Sequence, residues 1–572
     1  MHRLDTDILI LGAGGAGLFA ALHAKRANPD LDVTIAVKGL LGKCGCTRMV
    51  QGGYNVALAE GDSVERHFMD TIEGGAWLND QELAWVLVNE ARVRIHELEN
   101  ELGCFFDRNP DGTIHQKAFA GQTFDRTVHK GDLTGIEIMN RLAEQVWRRD
   151  VRRLEDHRAL DFVPAADGSG LAGVLMLDMR SGEPLLVRAR STLLATGGGP
   201  TMYKYHTPSG DKSCDGMAMS LRAGLPLRDM EMVQFHPTGL LAGDGTRMTG
   251  TVLEEGLRGS GGFLLDGAGE RFMFAYDPRG ERATRDIVSR SIMDRILKGH
   301  ASPNGGVFIA MGHLGPENVR REFKGMVERC ADCGFDLAAG KVEVIPTAHY
   351  MMGGVMFQSD CTTPMPGLFA AGEDTGGVHG ANRLGGNGVA NSTVFGGLVG
   401  DAMAAKTKPT GVRADLDYGA LDAARERAFG VLEKPKGDLE FFRKGLADVM
   451  WDDVGIIRSA ESLARGRGVL EDLSRDIAAC GVAGTDRRYN LTWMDRLNLE
   501  NLILVSRAIA AAAQARLDSR GAHFRTEHPH SSALESSTYS VVRMRDGDAR
   551  VGMEPVIFSR VRPGQTLVKG AS

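Results

Sequence analysis

The sequence is poor in cysteine, lacks long apolar runs and has no excess of positive charge. Its eight cysteines include two close pairs, Cys44 with Cys46 and Cys330 with Cys333, but neither has a second pair at zinc or iron–sulfur ligand spacing. We therefore expect no metal site and no internal iron–sulfur cluster. No stretch reaches about 18 apolar residues, because Arg507 interrupts LILVSRAIAAAA, so no membrane span is expected. The net charge of −7 disfavours nucleic acid as a partner.

The N-terminal stretch ILILGAGGAGLFAALHA also lacks the basic leader and the cleavage site of a secretory signal. We expect a cytoplasmic, soluble protein, peripheral to a membrane only through a partner. Glycine, in contrast, is abundant, with 74 of 572 residues against an average of about 7%. This composition has no collagen-like period and is typical of a chain whose backbone approaches a ligand closely. The length exceeds one hydrophobic core and predicts three or four units.

Residues 6 to 25 have the pattern of a strand, a glycine turn and a helix. The GxGxxG turn contains Gly12, Gly14, Gly15 and Gly17. This order opens a dinucleotide-binding βαβ unit, in which a pyrophosphate contacts the N-terminus of the helix. The second strand, DVTIAV, ends in Lys38 instead of the acidic residue that usually binds the ribose of NAD. This difference favours FAD over NAD.

The rest of the chain divides by composition. The apolar strand STLLATGGG ends in Thr196, Gly197 and Gly198, which indicates a second βα turn of a doubly wound sheet. Residues 240 to 345 mix charged helical stretches with glycine turns and have the character of an insertion. From about residue 411 to 520 the apolar spacing is mostly helical. Beyond 526 there is no repeat or low-complexity tract, so we expect a packed tail.

The stretch HGANRLGGNGVANS places Arg383 just before a helix that begins near residue 389. The partial positive charge of a helix N-terminus would stabilise an anionic flavin ring, and Arg383 beside it would bind a carboxylate. An ordinary surface ion pair explains this arginine equally well.

Several motifs occur in a fixed order along nearly the whole chain. They are GAGGAG (12–17), QGG (51–53), DLTG (132–135), LLATGGG (193–199), DGMAMSLRAG (215–224), MEMVQFHPTG (230–239), RDIVSRS (285–291), AHYMMGGV (348–355), HGANRLGGN (379–387) and RGAHFR (520–525). In this order they resemble the flavoprotein subunit of the succinate dehydrogenase and fumarate reductase family, which includes L-aspartate oxidase.

The resemblance implies an α/β fold, in which a doubly wound, Rossmann-like FAD-binding domain contains an inserted α+β capping domain. The implied ranges are 1–235 and 350–410 for the FAD-binding domain, 236–349 for the capping domain, 411–525 for a helical domain and 526–572 for a C-terminal tail. It also implies that FAD contacts Gly12, Gly14, Gly15, Gly17, Lys38, Cys46, Thr47, Gln51, Gly52, Gly53, Thr196, Gly197, Gly198, Asp215, Glu373, Arg383, Gly388 and Ser392.

The implied chemistry is hydride exchange between FAD and the central carbons of a dicarboxylate. His236, His349 and Arg383 match the residues that hold the carboxylates, and Arg285 matches the residue that delivers or removes the proton. Taken singly, His236 before a proline could be a turn residue and Arg285 an exposed residue at a helix start. As a set around one flavin they favour a catalytic role.

A relay is needed because an arginine side chain ordinarily has a pKa above about 12 and gives up its proton reluctantly. Glu255 and Arg258 match the relay of the family. Phe119 and Gln122 match positions that line the substrate pocket.

The sequence departs from the family near the flavin. Membrane-bound members attach the flavin through a histidine in a segment similar to SHTVSAQGG, and counting back from Gln51 places Cys46 there, with no histidine nearby. The plain interpretation is noncovalent FAD, as the aspartate oxidase branch implies, with Cys44 and Cys46 as small loop residues. A cysteinyl link through Cys46 is the alternative, and a disulfide between the two is disfavoured by their strained spacing.

Two further departures concern the substrate. Glu254 stands where the family has a threonine that helps to hold a substrate carboxylate, and Ser260 stands where the family usually has the glutamate of RGEGG. An ionised Glu254 would repel a dicarboxylate unless it is protonated, ion-paired or turned away. These residues leave open a substrate other than succinate, such as an acid that carries an amine or a hydroxyl.

The leading hypothesis is an FAD-dependent oxidoreductase that acts on the CH–CH bond of a dicarboxylate, with succinate and fumarate first. It would exchange electrons with a separate iron–sulfur or ferredoxin-like subunit. An L-aspartate-oxidase-like amine oxidase is the alternative, favoured by MWDDVGIIR at 450–458 and by the missing histidine. A third possibility is an FAD-bearing electron-transfer scaffold without substrate turnover, against which the histidine and arginine set argues.

Overall fold

The computed structural model describes residues 1–243, 245–246, 248–408, 413–484 and 486–568. In these ranges the strands are β1 (His2–Asp5), β2 (Ile8–Leu11), β3 (Val33–Val37), β4 (Tyr54–Asn55), β5 (Gln116–Lys117), β6 (Thr127–Val128), β7 (Arg152–Glu155), β8 (His157–Pro164), β9 (Leu171–Asp178), β10 (Glu183–Arg188), β11 (Ser191–Leu194), β12 (Leu227–Arg228), β13 (Val233–Leu240), β14 (Phe263–Leu265), β15 (Val307–Ala310), β16 (Lys341–Met351), β17 (Gly354–Val355), β18 (Leu368–Ala370), β19 (Thr538–Arg545) and β20 (Asp548–Pro555). The helices are α1 (Gly15–Ala27), α2 (Val64–Gly74), α3 (Gln81–Asn100), α4 (Thr134–Trp147), α5 (Asp215–Arg222), α6 (Gly256–Gly259), α7 (Arg285–Leu297), α8 (Pro316–Glu322), α9 (Lys324–Ala331), α10 (Asn387–Lys406), α11 (Tyr418–Phe429), α12 (Leu439–Asp452), α13 (Ala460–Ala479) and α14 (Leu491–Ala515).

A five-stranded parallel sheet has the strand order β18-β11-β2-β3-β7. Its central strands are short apolar runs that are buried along their whole length, as expected for a parallel sheet covered on both faces. The chain order reverses between β2 and β11, so the carboxyl ends of these two strands border a crevice. This arrangement confirms the predicted α/β class with a doubly wound, Rossmann-like sheet.

Helix α10 lies directly against α1 and brings a late segment of the chain to the first glycine turn. The contact is close because a Cβ at Gly396 would lie 2.8 Å from the carbonyl oxygen of Ala16, and one at Gly400 would lie 2.5 Å from that of Ala20. Larger side chains at these two positions would push the helices apart. The glycines therefore place the N-terminus of α10 beside the β2–α1 turn.

A second, antiparallel sheet has the order β13-β16-β15-β14 and its own buried core. Strands β13 and β16 are its longest, and they carry the chain into and out of the inserted segment. Their pairing sets His236 opposite Thr347 and Phe235 opposite Ala348. Both strands cross the boundaries proposed from the sequence, at 235/236 and 349/350, so the border of the insertion is a continuous sheet.

The C-terminal part is mainly helical, with α13 and α14 packed against each other and against the parallel-sheet core. After it, β19 and β20 form a hairpin, and β19 pairs with β12 through Leu227 with Val542 and Arg228 with Val541. The segment after 526 is therefore packed into the fold up to 568, and the remainder of the predicted tail lies outside the described residues. No helix in the described ranges combines the length and the apolar character needed to cross a membrane.

Candidate active site

A cavity of about 700 Å³ lies at the crevice beside β2 and β11 and extends to β13 and β16. Most residues predicted for FAD or substrate line it: Gly12, Gly14, Gly15, Lys38, Cys46, Thr47, Gln51, Gly52, Gly53, Phe119, Thr196, Gly197, Asp215, His236, Glu254, Glu255, Arg285, His349, Glu373, Arg383, Gly388 and Ser392. Four others do not: Gly17, Gln122, Gly198 and Arg258. The structure thus brings the residues predicted to bind FAD and those predicted to bind the substrate to one cavity.

Three of these four residues, Gly17, Gln122 and Gly198, support the lining from behind. A Cβ at Gly17 would lie 1.9 Å from the Gly12 carbonyl oxygen, so this glycine lets α1 pack closely on the turn. A Cβ at Gly198 would lie 2.7 Å from the carboxyl group of Glu373. Gln122 donates from Nε2 to the carbonyl oxygen of Gly385 at 3.0 Å. Their contribution is therefore positioning and close packing.

One end of the cavity is built from backbone. Gly12 has φ +109°, and a Cβ there would lie 2.0 Å from the Ala195 carbonyl oxygen, so any other residue is strained. Helix α1 starts without a side-chain cap and without an acidic residue in its first turn, which leaves N–H groups and partial positive charge for an anion. Gly15 N–H donates to Thr47 Oγ1 at 3.2 Å. These residues fit the pyrophosphate of FAD.

Lys38 and Asp215 form an ion pair at the wall of this end. Lys38 Nζ lies 2.8 Å from Asp215 Oδ2, and Arg158 Nη2 lies 2.8 Å from Asp215 Oδ1. Burial alone would raise the pKa of Asp215, but the charges of Arg158 and Lys38 hold it well below its usual range. Because both carboxylate oxygens accept from protein donors, Asp215 holds Lys38 in place at the cavity wall.

The N-terminus of α10 borders the same space through Gly388 and Ser392. Asn387, at its start, is fixed by Asn55 Nδ2 at 2.9 Å and by His67 Nε2 at 3.0 Å from its Oδ1 atom. This helix also lacks a side-chain cap, and although the Asn387 N–H donates to the Leu384 carbonyl oxygen at 3.2 Å, the partial positive charge of the helix start faces a ligand in the cavity.

Glu373 and Cys46 both resist ionisation near this end. Burial raises the pKa of Glu373 to about 7, while its Oε1 accepts the Met351 N–H at 3.0 Å. Burial, with a smaller effect of the Glu373 charge, raises the pKa of the Cys46 thiol to about 12. All eight cysteines lie within the described ranges and are free thiols. Cys46 is therefore a protonated loop residue and a weak nucleophile.

The other end of the cavity is built from side chains. His236 on β13 and His349 on β16 meet edge to face, with ring centroids 5.4 Å apart. Thr238 N–H donates to His236 Nδ1 at 3.3 Å, which assigns the proton of this ring to Nε2. Burial first, and then the charge of Arg285, lower the pKa of both histidines well below the usual value. Both are neutral and able to donate one hydrogen bond without adding charge.

Two arginines converge on one oxygen atom. Arg285 Nη1 and Arg383 Nη2 each donate to Gln234 Oε1 at 3.0 Å, and Gln234 Nε2 is fixed by Asn382 at 3.0 Å. Arg383 Cζ lies 4.4 Å from the ring centroid of Tyr350, and its Nε is buried without a hydrogen-bond partner in the described part of the chain. Burial, together with Arg285, lowers the pKa of Arg383 to about 10. The pair leaves a buried excess of positive charge.

Behind Arg285 lies a chain of charged groups. Arg285 Nη2 and Nε donate to Glu255 Oε2 at 2.6 and 3.0 Å, and Arg258 Nη2 donates to Glu255 Oε1 at 3.3 Å. Burial alone would raise the pKa of Glu255, but Arg285 and Arg258 outweigh it and lower the pKa. Arg258 is 1% exposed and also donates to the Glu281 carbonyl oxygen at 2.7 Å. The predicted relay is therefore a continuous hydrogen-bonded chain.

The two departures from the family pattern fall in different places. Glu254 is 6% exposed, lines the cavity and pairs with Lys117, whose Nζ lies 3.4 Å from Glu254 Oε2. Burial raises the pKa of Glu254, and Lys117 opposes that rise. Ser260 is exposed and does not line the cavity, because it lies just beyond the end of α6. The structure thus gives Glu254, and not Ser260, a position to influence substrate choice.

Several residues in or beside the site were not predicted from the sequence. Tyr350 and Arg329 line the cavity. Gln234 and Lys117 contact lining residues, and Asp374 accepts from Thr196 Oγ1 and from the Gly197 N–H. Gln234 precedes His236 by two residues on one strand, and this spacing places both side chains on one face, a signal that was available. Arg329 lines the cavity beside Gln51, whose side-chain oxygen accepts from Arg329 once the amide is assigned with its oxygen toward the guanidinium. Neither Lys117 nor Arg329 belongs to a local motif, so only the fold reveals them.

Comparisons with known proteins agree with this geometry. A family model described as FAD binding domain matches residues 7–389, and one described as fumarate reductase flavoprotein C-term matches residues 443–568. One chain of the fumarate reductase (CoM/CoB) from Methanothermobacter marburgensis is 39% identical over 528 residues, which cover 92% of this chain and 95% of that protein. The fumarate reductase flavoprotein subunit of Escherichia coli is 32% identical over 595 residues, with 100% and 97% covered.

A solved structure of a variant of Escherichia coli quinol fumarate reductase FrdA has the same fold. It superposes with a TM-score of 0.92 at 30% identity, and 99% of each chain is covered. The chain therefore belongs to the fumarate reductase/succinate dehydrogenase flavoprotein family and is an FAD oxidoreductase that acts on CH–CH groups.

Proposed function

We propose that this protein interconverts succinate and fumarate, or a close dicarboxylate, with noncovalently bound FAD. One observation carries the proposal: Arg285 and Arg383 share a single acceptor, Gln234 Oε1, and Arg383 Nε has no partner in the described residues. Two guanidinium groups that meet in a buried wall repel each other, and an anionic carboxylate relieves this repulsion. The site is therefore suited to a carboxylic acid substrate.

The surrounding residues suit two carboxylates. Arg383 presents a fixed guanidinium that suits bidentate binding of one carboxylate, and neutral His349 lies on the neighbouring wall. His236, which lines the same cavity, offers its Nε2–H to a second carboxylate. Phe119 covers the cavity with its ring, which packs so closely on Gly52 that a Cβ there would lie 2.7 Å from it. This apolar cover excludes water from the reacting carbons.

FAD, when bound, accepts a hydride from succinate or supplies one to fumarate. The proton that accompanies the hydride is the task of the protein, and we assign it to Arg285. In fumarate reduction Arg285 gives a proton to the substrate carbon. Glu255, which is ionised at rest, then takes a proton from Arg258 and passes it to Arg285 along their 2.6 Å hydrogen bond, and Arg258 is reprotonated from outside the site. The order reverses for succinate oxidation.

We assign noncovalent attachment of FAD from the state of Cys46. A thiol whose pKa is about 12 is protonated at neutral pH and does not attack the flavin ring. Acid precipitation of the purified protein should leave the yellow colour in the supernatant, and Cys46→Ser should retain the same flavin content. Colour that stays in the protein pellet and is lost in Cys46→Ser would show a cysteinyl link instead.

We also propose a separate iron–sulfur protein as the electron partner. The relatives are named as subunits, which supports a role within a larger assembly. The succinate-reduced protein should pass electrons to a ferredoxin-type protein, followed by stopped-flow absorbance, and should not reduce NAD⁺. Rapid NAD⁺ reduction would contradict this proposal.

The first test is an anaerobic titration with succinate, and then with L-aspartate, that follows flavin absorbance near about 450 nm. Bleaching by succinate, reversed by fumarate, is the expected result. Bleaching by L-aspartate alone, with peroxide formed in air, would assign the protein to amine oxidation. Bleaching by neither would sink both assignments and direct the search to other acids.

A further inference from the structure

Glu254, which lines the cavity, forms an ion pair with Lys117, which lies outside the lining. Lys117 ends the short strand β5, and Glu254 immediately precedes the relay residue Glu255. Their side chains are 21% and 7% exposed, and Nζ lies 3.4 Å from Oε2. The two residues are 137 positions apart in sequence, so the fold alone creates this contact.

The neighbouring charges show why this contact matters. Glu255 already has two arginines, Arg285 and Arg258, whereas Lys117 is the ion-pair partner that Glu254 has in the described ranges. Two other charged residues act on Glu254 from the cavity lining: Asp132 raises its pKa and Arg329 lowers it. A substrate carboxylate that enters the cavity therefore meets a buried Glu254 carboxylate whose charge is unbalanced unless Lys117 is in place.

We propose that Lys117 is a specificity-determining residue, which cancels the charge of Glu254 so that the cavity accepts a doubly charged dicarboxylate. This inference rests on the proposed function. It explains how a glutamate stands in place of a substrate-binding threonine in a site that otherwise keeps its arginines and histidines. Lys117 acts through Glu254 and does not contact the reacting carbons.

The sign of the pH dependence follows from the burial of Glu254. With Lys117 present, the ammonium group balances the charge of Glu254 as the carboxyl ionises, so substrate binding depends less on pH than it would with Glu254 alone. Without Lys117, burial and Asp132 keep the Glu254 carboxyl protonated at low pH and harmless to a dianion. As pH rises the carboxyl ionises and repels the substrate, so binding by Lys117→Met should weaken toward alkaline pH.

The test compares four proteins: wild type, Lys117→Met, Glu254→Gln and the double variant. For each, the dissociation constant of succinate is measured between pH 6 and pH 8.5 from the change in the FAD absorbance spectrum under conditions without an electron acceptor. KM and kcat are measured in parallel. In Lys117→Met we expect the dissociation constant and KM to rise about 10- to 100-fold at the alkaline end and much less at the acidic end, with kcat nearly unchanged.

The double variant is the decisive protein. Removal of the Glu254 charge should restore succinate binding to within about threefold of wild type and abolish the pH dependence. Lys130→Met is the control, because Lys130, like Lys117, lies outside the cavity lining but pairs with Asp107 at 3.0 Å instead of with Glu254. A double variant as weak as Lys117→Met, or a pH-independent defect, would overturn the inference and indicate a merely structural lysine.

Failure of the inference and failure of the proposed function give different patterns. A wild type that binds succinate but turns over neither succinate nor fumarate, with the expected pattern among the variants, keeps the inference and removes the function. Normal turnover of succinate and fumarate with no difference among the four proteins keeps the proposed function and overturns the inference about Lys117. A wild type that neither binds nor converts a dicarboxylate overturns both.

Discussion

The two ends of the cavity recognise their ligands by different physical means. The cofactor end uses backbone: glycines at the β2–α1 turn and the uncapped starts of α1 and α10. The substrate end uses charged side chains that are held by one another, with Gln234 between Arg285 and Arg383. A backbone site tolerates no added atom, whereas a side-chain site tolerates a change of shape but not a change of charge. The largest effects should therefore be steric at one end and electrostatic at the other.

The largest expected effect is steric. In Gly12→Ala the new Cβ would lie 2.0 Å from the Ala195 carbonyl oxygen at φ +109°, and we expect a folded protein that retains no FAD and has no activity. Gly224→Ala is the matched control, since exposed Gly224 has a similar positive φ of +73° with no atom within 4 Å of its Cβ position and lies outside the cavity lining. It should keep most of its FAD. Flavin content after gel filtration, with circular dichroism for folding, measures both, and equal flavin content would break the comparison.

The next effect is electrostatic and spares the cofactor. Arg285→Ala removes the proton donor, and we expect kcat to fall by about 10³-fold with unchanged flavin content. Arg282→Ala, three positions earlier on the exposed surface, is the control and should behave as wild type. Steady-state assays with succinate and fumarate measure this effect. A loss of FAD in Arg285→Ala would mean that the two ends are not separable.

A smaller effect should separate substrate binding from catalysis at the substrate end of the cavity. Arg383→Gln keeps hydrogen-bonding capacity but removes the charge that we assign to a substrate carboxylate. We expect KM to rise about 10- to 100-fold while kcat changes less, because a charge-assisted contact contributes about 1.5–3 kcal/mol. An equal fall in kcat with unaltered KM would instead assign Arg383 to the transition state.

The smallest effect concerns stability at the cofactor end. Glu373 has a pKa of about 7 in the folded protein, above its ordinary value of 4.5, because it is buried. The folded state therefore binds a proton that the unfolded state releases, so stability is highest at low pH and falls as pH rises through about 7. Without FAD, unfolding by urea should lose about 1–3 kcal/mol between pH 5 and pH 8. Glu373→Gln should reduce this loss, whereas the exposed control Glu433→Gln should not.

The difference between contacts that are local in sequence and contacts that only the fold creates explains which features the sequence could predict. The glycine turn is local, since its residues are neighbours in sequence and their spacing follows from the geometry of one strand and one helix. The relay of Glu255 and Arg258 is also local, because three positions span nearly one helical turn. Lys117 could not be paired with Glu254, since nothing in either segment specifies a contact over 137 positions. Ser260 was adjacent in sequence to the site yet exposed on the surface, which shows that neighbourhood along the chain does not give neighbourhood in the cavity.

The packing of α10 against α1 has a consequence for biosynthesis. Strand β2 and helix α1 are made early, but β18 and α10, which complete their sheet and cover them, follow more than 340 residues later. At about 5–20 residues per second, a ribosome needs roughly 20 to 80 seconds to reach that segment. Throughout this interval the apolar faces of the N-terminal unit lack their final neighbours and depend on closure of a very long loop. FAD capture is thus a late event, and a chain that stops before α10 should emerge colourless and prone to aggregate.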